Sequence, residues 1–172
     1  MSAPGTSRIR LRRVQRMPVR SVDEAALLVR RVSAATVVLD VEPMIAPWRG
    51  SAEAYLAGAR RFLDAIVGQS DTVTAIVIAS NSPATRPAIT CDVPLTLSVG
   101  AGKPWRTDYL ADLPRPVVVI GDQPLTDGLL AWRLDGVFLH WRHDGPTPWW
   151  PRLQRTLGRL VLPFAFTRRF AR

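Results

Sequence analysis

Apolar positions along this chain recur with two periods, and the alternation between them predicts the fold. Short apolar runs rich in β-branched residues occupy 36–39, 75–79, 117–120 and 137–141. Runs of that length and composition suit strands covered on both faces, as in a parallel sheet. A further strand is predicted over 94–98. Between the first two runs, Tyr55, Leu56, Ala59, Phe62, Leu63, Ile66 and Val67 repeat at helical spacing behind Ser51, a good N-cap. Ser21-Val22-Asp23-Glu24 reads as a capping box that opens a short helix ahead of the first strand. A helix over 126–134 closes on Gly136. The stretch after Lys103 has room for two helical turns at most before Pro114-Arg115-Pro116. Strands and helices that take turns in this way build an α/β fold, with a mostly parallel central sheet between two helical layers. No internal repeat is visible.

The ends of these runs carry chemistry. The run at 36–39 leads into Asp40, with Glu42 two residues on, and the run at 117–120 leads into Gly121-Asp122, with Asp127 five residues further. The run at 75–79 ends in Ser80-Asn81, and Gly102-Lys103-Pro104 holds the only lysine in a chain whose other fixed cations are all arginine. Ligands of open parallel sheets bind at the carboxyl ends of the strands, where all these groups fall. A carboxylate pair, a hydroxyl, an ammonium and a second carboxylate pair form a workable set for phosphoryl transfer. One carboxylate attacks, the hydroxyl and ammonium hold phosphate, and the acidic pair holds Mg²⁺.

The order and spacing of these groups are similar to those of the haloacid dehalogenase (HAD) superfamily of aspartyl-phosphate phosphatases. The resemblance is closest to subfamily IIIA, which includes phosphatidylglycerophosphate phosphatases. The family's Asp-Leu-Asp-Asn-Thr-Leu, followed by an apolar residue and Trp, corresponds to Asp40-Val41-Glu42-Pro43-Met44-Ile45-Ala46-Pro47-Trp48. Its Ser-Asn-Asn corresponds to Ser80-Asn81-Ser82 and its Lys-Pro to Lys103-Pro104. Its Gly-Asp-Gln-x-x-Thr-Asp is met in full by residues 121–127. The likeness runs from about Pro18 to the Trp149-Trp150-Pro151-Arg152 region.

The resemblance implies a HAD-type Rossmann-like three-layer sandwich without a sizeable cap domain, since the loop from Glu42 to Ser51 is short and no later insertion is long enough for a lid. An open site of that kind suits a large or membrane-presented phosphate ester. It also implies roles. Asp40 is the nucleophile, and it ligates Mg²⁺ together with the backbone carbonyl of Glu42 and the carboxylate of Asp122. Ser80 and Asn81 bind phosphate, Lys103 neutralises developing charge and restrains Asp40, and Asp127 orients Lys103 or metal-bound water.

Motif one departs from the family. The second carboxylate, general acid and then base, is Glu42 in place of aspartate, and the Asn and Thr of the loop are Pro43 and Met44. Pro43 lacks an amide donor and Met44 lacks a hydroxyl. A displacement of about 1 Å at such a position costs on the order of 10²-fold in rate. Two outcomes stay open: a slow Mg²⁺-dependent phosphomonoesterase, or a catalytically impaired phosphate- and Mg²⁺-binding or regulatory protein. Survival of the nucleophile, lysine and metal aspartates favours the enzyme.

Composition narrows the setting. At 172 residues and 47% hydrophobic, the chain can bury the core of one domain. The expected organisation is a basic flexible arm over 1–17, a domain over 18–145 and a basic amphipathic segment over 146–172. No apolar run approaches bilayer length, and the arginine-studded start lacks the apolar core of a secretory signal. The single Cys91 reads as a small apolar filler and fits a cytoplasmic setting. His140 and His143 lack metal-ligand spacing and read as structural. Net charge is +9, with arginines at both ends. In the last segment Trp149, Trp150, Leu153, Leu157, Leu160 and Phe164 interleave with Arg152, Arg155, Arg159, Arg168 and Arg169. That pattern suits peripheral contact with an anionic membrane lipid, or a helix packed on the sheet with a solvated arginine face. Nucleic acid ranks last among partners, because no recognition motif accompanies the charge.

Overall fold

The computed structural model describes residues 13–167. Arg8, Arg10, Arg12, Arg168 and Arg169 of the basic termini lie outside the described residues. In order, the chain forms β1 (Val14–Val19), α1 (Val22–Arg31), β2 (Thr36–Leu39), α2 (Ala52–Gln69), β3 (Ala75–Ser80) and β4 (Leu95–Val99). A 3₁₀ turn (Asp108–Leu110), β5 (Val117–Gly121), a π-helical turn (Pro124–Gly128), α3 (Leu129–Arg133) and β6 (Val137–Trp141) follow. The chain then forms α4 (Trp149–Ala165) and β7 (Phe166–Thr167).

All seven strands form one parallel sheet, ordered β4-β3-β2-β5-β6-β1-β7. Every residue of β2, β3 and β5 is buried, because helices cover both faces. Successive strand residues face opposite layers. Val37 and Leu39 join the core made with α1 and α2, while Val38 joins that of Leu130, Ala131 and Ala165 on α3 and α4. This is the expected Rossmann-like three-layer α/β architecture, with a sheet parallel throughout. Cys91 packs, partly buried, against the first core.

Local signals act where they were read. Ser21 Oγ accepts the Glu24 amide at 3.1 Å, and Ser51 Oγ accepts the Ala54 amide at 3.1 Å. The helix expected from 126 starts earlier, as the π turn with Pro124 in its first position. The sheet is also wider than the runs predicted. β1 begins inside the span assigned to a flexible arm and crosses the boundary drawn at 17. Gln15, Arg16 and Pro18 disguise it, and Arg16 lies buried with its guanidinium on Nδ1 of His140 at 2.6 and 3.0 Å.

The segment after 146 is part of the same sheet, since β7 pairs with β1 through Val14 and Phe166. α4 packs inward with Pro151, Gly158 and Ala165, residues at a spacing of seven with little side chain. A β-carbon on Gly158 would already touch Pro124 at 3.0 Å. The large apolar residues of α4 therefore point outward, with Trp149 74%, Leu160 69% and Phe164 61% exposed. Among the described residues no helix is long and apolar enough to cross a membrane.

Candidate functional site

Counted from β2, the strand order is 3-2-1-4-5, so the chain reverses direction across the sheet between β2 and β5. A crevice opens outside the carboxyl ends of the strands at such a reversal. Register pairs Leu39 with Ile120, and the Asp40 amide donates to the Ile120 carbonyl at 2.9 Å. The residues that follow, Asp40 and Asp122, therefore emerge side by side. α2 clamps the loop beyond Asp40 so closely that a β-carbon on Gly58 would lie 1.8 Å from the Ile45 carbonyl oxygen.

Asp127 completes the cluster through the π turn. Its carboxylate folds back over Gly121, where a β-carbon would come within 2.3 Å of it, and accepts the Gln123 amide at 3.1 Å. The acidic oxygens of Asp40, Asp122 and Asp127 lie within 4.8 Å of one another, an arrangement that could hold a metal ion. Lys103 enters behind Gly102, whose φ of 69° suits a residue without a β-carbon. Its Nζ donates to Asp40 Oδ1 and to Asp127 Oδ1, both at 2.7 Å. Arg155 of α4 closes the other side, with Nε and Nη2 at 3.1 and 2.6 Å from Asp122 Oδ2.

Three carboxylates against two cations leave one net negative charge in a buried site. Asp122 Oδ1 and Gln123 Oε1 are buried without a hydrogen-bond partner among the described residues. Burial, reinforced by Asp127, pushes Asp122 up to about 6 against the pull of Arg155. Burial and then Asp127 hold Asp40 well above the usual carboxylate range, with Lys103 opposing them. For Lys103 burial works against the charge, but Asp127 and Asp40 outweigh it and raise the ammonium above its ordinary value. The site stores unfavourable negative charge that another cation would relieve.

His140 holds the frame of the site. Arginine has no lone pair to offer, so the His140 nitrogen facing Arg16 must be the acceptor, and the proton sits on Nε2. Nε2 then donates to the Asp122 carbonyl at 3.1 Å. Burial, with Arg16 alongside, depresses His140 to about 3 and keeps it neutral. The structural reading of His140 stands.

Other sequence-predicted residues meet partners that the spacing did not show. Asn81, expected on phosphate, is committed at both ends to Lys103: Oδ1 accepts the Lys103 amide at 2.7 Å and Nδ2 donates to its carbonyl at 2.9 Å. The amide therefore positions the lysine backbone, and its second Nδ2–H is the donor left for an anion. Ser80 Oγ donates to Glu42 Oε2 and accepts the Ser82 amide, each at 3.1 Å. The other oxygen of Glu42 takes an ion pair from Arg86, whose guanidinium lies over the Tyr55 ring at 5.6 Å. With both oxygens engaged as acceptors, the Glu42 carboxylate stands outside the acid cluster. Among the described residues that cluster is Asp40, Asp122 and Asp127, so Asp127, expected to orient Lys103 or metal-bound water, joins the acid group itself.

Asp40, Glu42, Ser80 and Lys103 open into a cavity of about 430 Å³, which Trp48, Trp150 and Gln154 also line. The first turns of α4 thus supply a wall where the short loops suggested an open edge. Sequence reasoning missed Arg155 and Arg86 because they lie 33 and 44 residues from their carboxylate partners. No local pattern links them. No protein-family model, curated protein or solved structure matches this chain. Fold and site together define a Rossmann-like α/β protein with a buried aspartate–lysine cluster at its topological switch point.

Proposed function

We propose that this chain is a Mg²⁺-dependent phosphomonoesterase of HAD type, working through an aspartyl-phosphate on Asp40. The observation that carries the reading is Lys103 Nζ at 2.7 Å from both Asp40 and Asp127, beside a buried, unpartnered oxygen of Asp122. A hard-oxygen set with an orphaned carboxylate oxygen and one excess negative charge fits Mg²⁺. Asp40, Asp122 and Asp127 would hold the ion, and it would supply charge neutralisation to the incoming phosphate. Lys103 fixes Oδ1 of Asp40 and leaves the other oxygen to attack phosphorus. Its charge, held on by two aspartates, also faces the phosphate oxygens.

A second reading, binding of cation and phosphate without turnover, is favoured by one observation: Glu42 is occupied by Arg86 and Ser80. A shorter aspartate at 42 would reach less far toward Arg86. The assay uses p-nitrophenyl phosphate and phosphatidylglycerophosphate, each with and without Mg²⁺. The enzyme reading expects Mg²⁺-dependent release of phosphate that Glu42→Asp raises on the order of 10²-fold, the lower end of general-acid effects. No release from either ester, by either protein, selects the binding reading.

Substrate class follows from α4, beside the cavity mouth. Trp150, Leu153, Leu157, Leu160 and Phe164 form an outward stripe at alternating spacings of three and four, flanked by exposed Arg152 and Arg159. Two copies of this stripe would bring like charges together, whereas an anionic lipid surface matches both its apolar and its basic parts. The reading is a cytoplasmic enzyme that touches the membrane peripherally and takes an anionic lipid phosphate. Sedimentation with phosphatidylglycerol vesicles is expected for the native chain and lost in Trp150→Ser/Leu160→Ser. Equal sedimentation of the two would reject it.

Mg²⁺ and pH should be linked. Asp122 has its folded value, about 6, above its unfolded value of 3.8. Without metal, the folded state therefore binds the extra proton, and stability falls as pH rises from about 4 to 6, on the order of 3 kcal/mol for this group. Asp40 acts in the same direction. Mg²⁺ offsets this cost, so its gain in melting temperature should be greater near a pH of about 7.5 than near a pH of about 5. A gain that is flat with pH would separate the ion from these aspartates.

A further inference from the structure

A second, larger cavity of about 790 Å³ lies between α4 and the β6–β1 side of the sheet, and its chemistry is the reverse of the first. Arg16, Arg142, Arg155 and Arg159 line it against a single carboxylate, Asp144, with Leu162 and Phe166 among its apolar lining. Arg142 and Arg159 have no side-chain hydrogen bond or ion pair among the described residues. The two guanidinium groups of Arg142 and Arg159, beside one void and without such partners among the described residues, repel each other unless an anion joins them, and guanidinium matches phosphate-type oxygens in pairs.

Arg155 links this cavity to the acid cluster. It lines this one, yet spends Nε and Nη2 on Asp122 Oδ2. Arg159 follows one helical turn later on the same side of α4. We propose that this cavity binds a small anion of phosphate type, and that the bound anion draws Arg155 away from Asp122. Asp122 is then free to offer both oxygens to a cation. The anion site stands on its own lining; the coupling rests on the proposed Mg²⁺ site. Because coupling is reciprocal, the anion tightens Mg²⁺ binding by the same factor as Mg²⁺ tightens the anion. The shared chemistry is a dianionic oxyanion, whether free in solution or carried on a lipid headgroup.

Calorimetry on the full chain in chelator, with sulfate as the free probe and phosphatidic acid vesicles as the headgroup probe, tests the site. Arg142→Gln/Arg159→Gln alters two exposed side chains away from the acid cluster. It should weaken whichever probe binds by about tenfold or more, the loss expected for charge-assisted pairs. Sulfate sensitivity assigns the site to a free anion, and sensitivity with vesicles alone assigns it to a headgroup. Binding unchanged in the variant, or absent with both probes, overturns the site. In the second arm Mg²⁺ is titrated with and without sulfate. The native chain should bind Mg²⁺ several-fold tighter with sulfate, while Arg155→Gln should bind it tightly either way. Mg²⁺ binding that ignores sulfate in the native chain overturns the coupling. Failure of Mg²⁺ to bind either protein removes the cation reading and leaves the sulfate result standing.

Discussion

Asp40→Asn is expected to abolish phosphate release, by a factor on the order of 10⁶, the size seen when a covalent nucleophile is removed from an enzyme that depends on it. An amide of the same shape cannot form the acyl-phosphate bond, so no slower version of the route survives. The fold should survive. Burial and Asp127 already disfavour charge at position 40, so a neutral isostere keeps an acceptor oxygen for Lys103, gives up that oxygen's charge and relieves repulsion. Lys103 keeps its 2.7 Å contact with Asp127. Steady-state release and thermal unfolding, measured on one preparation, check both halves. Release from the asparagine variant at even a hundredth of the native rate would remove Asp40 from the chemistry.

Lys103→Met should produce the largest loss of stability. The lysine side chain is 2% exposed and sits between two buried carboxylates, so the variant keeps the negative charges and loses their counterion. Breaking a buried pair from one side costs about 3–5 kcal/mol, because the orphaned charge stays buried. For a chain of this size that is a fall of roughly 10 °C or more in melting temperature. The cause can be separated from lost packing. Lys103→Met/Asp127→Asn removes one orphaned charge and should recover part of the loss, and Mg²⁺ should recover part in the single variant. A single variant that melts within a degree or two of the native chain would show that the ammonium is not what holds the cluster together.

Both effects depend on groups whose place was readable before any contact was known. Asp40, Lys103, Asp122 and Asp127 follow apolar runs or tight glycine turns, and a parallel sheet sends all such ends to one rim. The continuous burial of β2, β3 and β5 is equally a property of their sequence, since only a strand covered on both faces is apolar without alternation. Readings that assigned a partner fared differently. The resemblance implied phosphate binding for Asn81, and only the fold showed the two hydrogen bonds across 22 residues that tie it to the Lys103 backbone. β1 was hidden because Arg16 and Gln15 interrupt its apolar character, and His140, 124 residues away, makes the buried arginine acceptable.

Local chain chemistry thus determined which segments become strands, which helices are capped, and that acid and ammonium gather at one end of the sheet. These follow from periodicity, propensity and the direction of parallel strands, all properties of neighbours in sequence. The fold alone decided which acceptor each buried cation meets: Asp122 for Arg155, Glu42 for Arg86, the neutral His140 for Arg16. It also decided that α4 turns its small residues inward and its large ones out, because the surface it meets at Pro124 leaves no room for a side chain. Electrostatic pairing and close packing act through space, and separation along the chain does not constrain them.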